Sequence, residues 1–147
     1  MVTSPSIARV KRTALAAVGL ALLLATHTAG AQVVAVVSAR SSVSSLSRSE
    51  LTDIFLGRAS RFPNGEPAVP IDLPEGSAAR DEFYAKFAGK SAAQIKAFWS
   101  KIIFTGRGQP PREVADGIEM KKLVAGNPDA IGYLDEKLVD ASVRVVL

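Results

Sequence analysis

Residues 1–31 divide this chain more sharply than anything after them. Arg9, Lys11 and Arg12 make a basic start, Ala14 to Ala25 is an apolar run of 12 residues, and Ala29-Gly30-Ala31 sets small residues where a signal peptidase reads them. The pattern is that of a secretory signal, with cleavage expected after Ala31. A membrane anchor would need about 20 apolar residues, well beyond this run. Removing residues 1–31 from the 147 leaves 116, room for one domain with a modest core and not for a second. The expected mature chain is therefore 32–147, periplasmic or secreted, with no membrane insertion after cleavage.

The leader also distorts the charge. It carries three of the 18 Lys and Arg and none of the 14 Asp and Glu, so the mature chain has 15 against 14, a formal charge of +1. A nucleic-acid partner thereby loses its electrostatic support. There is no cysteine, and the single histidine, His27, leaves with the signal. Without either, the mature chain cannot build a Ser-His or Cys-His nucleophile or the usual zinc set. The expectation is a protein that is not an enzyme and uses no cofactor or metal.

Along the mature chain, strand and helix patterns alternate. Val33 to Val37 reads as a strand buried on both faces, and Ser47 with Glu50 as a capping box opening a helix over 48–56, stopped by Gly57. Val69 to Leu73 is a second strand, with Pro70 favouring its first positions or an edge. A helix is expected from Ser77 to Ala88, closed by Gly89, and a second capping box at Ser91 and Gln94 opens another. In that helix Ile95, Phe98, Trp99, Ile102 and Ile103 fall on one face and are expected to be core. Thr105 to Pro111 is a loop, Asp116 caps a helix ending near Gly126, and Ala130–Leu134 and Val143–Leu147 are the last strands. The alternation argues for an α/β domain, a sheet covered by helices on both faces.

Two segments offer chemistry. In Gly76-Ser77-Ala78-Ala79-Arg80 a strand end passes through glycine into a helix start, where the first amides lack internal acceptors and carry the positive end of the dipole. Ser77 adds a hydroxyl and Arg80 a charge one turn in, which suits a small oxyanion. The same residues also fit an ordinary N-cap and a solvated arginine, and spacing alone favours that plainer reading. In Thr105-Gly106-Arg107-Gly108 the glycines let amides form a nest beside Arg107, although these residues taken alone favour a loop that only turns the chain.

The segments Leu46 to Arg58, with Asp53-Ile54-Phe55-Leu56-Gly57 inside it, Asp72 to Arg80, Phe104-Thr105-Gly106 with Gly108 and Pro110-Pro111, and Asn127 to Tyr133 resemble, in order, landmarks of the phosphate-type substrate-binding proteins of ABC transporters. The resemblance implies a single three-layer lobe of a type-2 periplasmic binding protein, a mixed sheet flanked by helices. It also implies phosphate or a related oxyanion held by a Gly-Ser-Gly-Thr turn that follows a basic residue. Here Gly76 and Ser77 match the first half of the turn, Ala78 and Ala79 replace its second half, and Asp72 and Leu73 stand where the basic residue is expected. The implied ligand residues are Gly76, Ser77, Ala78, Ala79 and Arg80, with Thr105, Gly106 and Arg107 from the second segment. The implied partners beyond the ligand are a transporter permease, a sensor or a second lobe-like chain. The alternative is an adaptor module that keeps the lobe and has lost the ligand.

Overall fold

The computed structural model describes residues 32–147; the signal expected at 1–31 falls outside them. Six consecutive β-branched or small residues make Val33–Ser38 (β1) a strand that is buried throughout. It lies inside a five-stranded sheet of order β3-β2-β4-β1-β5, with β2 at Val69–Asp72, β3 at Arg112–Glu113, β4 at Ala130–Asp135 and β5 at Val143–Val145. β1 runs antiparallel to β4 and β5, whereas β2 runs parallel to β4 and β3. The sheet is thus mixed, as the resemblance implies.

Helices cover both faces. Arg48–Phe55 (α1) begins at a complete capping box in which Ser47 accepts from the Glu50 amide and Glu50 reaches back to the Ser47 amide. Ala78–Phe83 (α2) continues into a wider π turn over Tyr84–Ala88 and stops where Gly89 turns left-handed at φ 63°. Ala92–Phe104 (α3) opens on the second capping box, Ser91 with Gln94. Gly117–Gly126 (α4) is capped by the Asp116 side chain and buries Met120 and Val124. Alternation along β4 divides the two faces. Tyr133 points to α2, and Gly132 lies under α4, where an added Cβ would sit 2.5 Å from Met120 Sδ and 3.0 Å from Val124. Glycine is what allows α4 that close an approach.

Two expectations need correction. The α3 stripe is core only at Ile95 and Trp99; Phe98 and Ile102 are half-buried, and Ile103 is 55% exposed. Trp99 packs over Gly57 beyond the end of α1, whereas the last turn of the helix is open to solvent, and Phe104 is 92% exposed. The final strand is shorter than expected, ending at Val145. The sequence also gave no sign of β3, whose two residues owe their strand geometry to pairing with Ile71 and Asp72.

Candidate functional site

Pro74 to Ser77 form a tight turn at the end of β2. The Ser77 amide donates to the Pro74 carbonyl at 3.1 Å, and Gly76, third of the four, has φ +88°. That is the type II arrangement, which a side chain at this position would strain. No atom lies within 4 Å of where a Cβ on Gly76 would stand, so the backbone here faces open space.

Beyond the turn, α2 begins with its donors free. Ser77 is the N-cap by position, yet its hydroxyl makes no capping bond. The first amide of the segment to find a helical acceptor is that of Asp81, which donates to Ser77 at 3.0 Å. The amides of Ala78, Ala79 and Arg80 make no hydrogen bond among the described residues. Three amides and one hydroxyl therefore converge at an accessible helix start, the arrangement that suits an anion.

Behind this start lies a buried polar cluster that sequence reasoning missed. Asp72, the last residue of β2, is 1% exposed. Its Oδ2 accepts from the Tyr84 hydroxyl at 2.6 Å and from Arg80 Nε at 3.4 Å, and its Oδ1 accepts from the Tyr133 hydroxyl and from the Leu73 amide at 2.9 Å. Arg80, whose side chain is 11% exposed, also lies over the Tyr84 ring, 5.6 Å from its centroid. Burial by itself lowers the Arg80 pKa, but the Asp72 charge and the phenols more than offset it, and the guanidinium stays firmly protonated. Burial, then the neighbouring carboxylate, pushes both phenols far above the ordinary tyrosine range. The available signal was an aspartate closing a buried strand together with the only two tyrosines of the chain.

The second segment is built differently. Gly106 turns left-handed at φ 66°, its amide donates to Ile103 at 3.1 Å, and the Arg107 amide donates to Ile102 at 3.1 Å. These are the paired bonds that finish a helix, and the Thr105 hydroxyl joins them by donating to Lys101 at 2.9 Å. The amides of Thr105, Gly106 and Arg107 in the expected nest are spent on the α3 terminus, which leaves the Arg107 side chain as its charged offering. No hydrogen bond or ion pair joins this loop to Gly76–Arg80 among the described residues.

No protein-family model and no curated protein matches the sequence. Solved structures do. One, from Clostridium perfringens, is assigned as a phosphate ABC transporter substrate-binding protein with bound phosphate; it is 24% identical over 78% of this chain and 43% of its own, with a TM-score of 0.62. A phosphate transport receptor from Vibrio cholerae gives 20%, 78%, 44% and 0.61, and PstS from Borrelia burgdorferi gives 11%, 78%, 46% and 0.57. The fold is that of one lobe of a phosphate-type substrate-binding protein. The chain spans less than half the length of each of these structures. On this lobe Gly76 turns the chain and Ser77 carries an uncapped hydroxyl. Ala78 and Ala79 contribute backbone only, and Arg80 stands inside the helix.

Among the described residues no helix is long and apolar enough to cross a membrane, and no cluster of acidic residues could hold a metal ion.

Proposed function

We propose that this protein is an exported solute-binding lobe that takes phosphate or a related small oxyanion at the start of α2. One observation carries the reading: the amides of Ala78, Ala79 and Arg80 and the Ser77 hydroxyl are left without partners among the described residues at one helix start. The fold shared with phosphate-binding proteins supports it. A single lobe leaves its ligand half in water, so the site is a weak one unless a second lobe-like chain closes over it. Delivery to a permease or a sensor belongs to the same reading.

Calorimetric titration of the purified protein with phosphate, sulfate and vanadate tests it. Ser77→Ala is expected to weaken phosphate binding at least about tenfold, the loss of one hydrogen bond to a charged group. Unchanged affinity in the variant would move the ligand away from Ser77.

One feature favours a second reading, an adaptor that keeps the lobe without the ligand. Ile103, Phe104 and Ile118 are large apolar residues that stay exposed, the kind of surface a protein partner covers. A partner retained in phosphate-free buffer and lost on Phe104→Ser would support that reading.

A further inference from the structure

We infer that the groove between α4 and the β2–β3 edge of the sheet is a second binding site, one that takes a small organic acid with an apolar body and a single carboxylate head. It does not rest on the oxyanion reading, because it lies on the other face of the sheet. Register fixes that face. Val69 is aligned with Ala130, so alternation puts Val69 and Ile71 on the side of Gly132 and α4, and Asp72 on the side of Tyr133 and α2. α4 packs mainly over β4 and β1. Beside it, along β2 and β3, is a groove of about 510 Å³, a volume typical of pockets that hold small molecules.

The walls of the groove are of two kinds. Val69, Ile71 and Leu123 give it apolar surface, and Arg112, Glu119 and Lys122 give it charge. The apolar part is not closed off by the chain, since Val69 is 41% exposed and Leu123 is half-buried; a hydrocarbon laid there removes that surface from water. The charges do not cancel. Glu119 Oε2 accepts from the Ala115 amide at 2.8 Å, which ties it to the turn before α4. Lys122 follows one turn later, yet no ion pair joins the two, and neither Lys122 nor Arg112 has an acidic partner among the described residues. Lys121 provides the contrast, paired with Asp140 at 2.9 Å. Two unpaired cations against one tethered carboxylate leave a net positive rim beside an apolar wall. Its complement is a molecule with one negative end, the carboxylate toward Lys122 and Arg112 and the hydrocarbon against Val69, Ile71 and Leu123.

Titration of the protein with octanoate, followed through its amide resonances, tests the assignment, with octan-1-ol and octylammonium as probes that keep the tail and change the head. Octanoate is expected to shift the amides of Ile71, Leu123 and Asn127. It should bind about fivefold more tightly than octanol, the scale of one exposed ion pair, and lose that advantage as salt rises. Lys122→Glu is expected to weaken octanoate about tenfold, because an attraction gives way to a repulsion of similar size, and to strengthen octylammonium. Lys122 is exposed and holds no ion pair, so the variant should keep the fold and respond to phosphate as the intact protein does. Equal binding of the three probes, or octanoate affinity unchanged by Lys122→Glu, would overturn the inference. So would octanoate shifts confined to Ser77–Arg80, which would place the carboxylate at the α2 start, or no response to octanoate at all.

Discussion

Phe83→Ala is expected to destabilise the protein by about 3–5 kcal/mol, the cost of emptying a large aromatic site in a packed core. Phe83 is 2% exposed and stacks on Tyr133, with centroids 4.1 Å apart and planes 9° from parallel. Phe55 packs on it at 4.7 Å, Tyr84 at 5.1 Å and Phe87 at 5.3 Å. One ring therefore joins α1, both parts of the second helix and the sheet, and no neighbour can move in without abandoning another contact. Urea unfolding checks this: the midpoint should fall with the slope unchanged. A loss under about 1 kcal/mol would mean that the cluster relaxes around the gap. Because the ring holds α2 on the sheet, phosphate binding should weaken in the same variant.

The second large effect is on pH. Tyr84 and Tyr133 have their native pKa values raised by burial and by Asp72, while in the unfolded chain they titrate near the ordinary value of about 10. A group whose native pKa lies above its unfolded one stabilises the fold fully below the unfolded value, and that contribution disappears as pH rises through the native one. Between those limits the unfolded chain releases two protons that the native protein keeps. Stability should therefore fall by about 2.7 kcal/mol per pH unit once pH exceeds about 10. No other tyrosine obscures the signal, since the chain has two. The phenolate absorbance should stay flat through the ordinary tyrosine range and rise only with loss of the folded circular dichroism signal. Phenolate appearing near pH 10 in a folded protein would show that the cluster is open to water.

The local parts of this fold are legible in the residues. Ser47 with Glu50 and Ser91 with Gln94 form the capping boxes their spacing describes, and Gly57, Gly89 and Gly106 each take the positive φ that ends a helix. Such signals act within one turn, so a short window of sequence contains them. The non-local parts are not legible. β3 exists because Arg112 and Glu113 align with residues about 40 positions earlier. Ile103 satisfies the helical stripe and yet is exposed, since periodicity marks a face and not how far along it other parts of the chain pack.

The candidate site divides in the same way. Its donor-rich start follows from Gly76-Ser77 and the helix after them. Its electrostatics depend on Asp72 meeting Tyr84 twelve residues away and Tyr133 sixty-one residues away. A lone aspartate at the end of a strand carries no local mark of burial. For that reason Arg80 reads in the sequence as free to meet either solvent or a ligand, and is found in the structure bound to a carboxylate of its own chain.

The most direct test is a map of amide resonances in the purified protein as inorganic phosphate is added. Shifts concentrated at Ser77, Ala78, Ala79 and Arg80 are the expected result, with the Thr105 to Arg107 amides little changed because they already cap α3. Shifts at the α3 terminus with the α2 start unmoved, or no response to phosphate at all, would contradict an oxyanion site built on those unpaired amides.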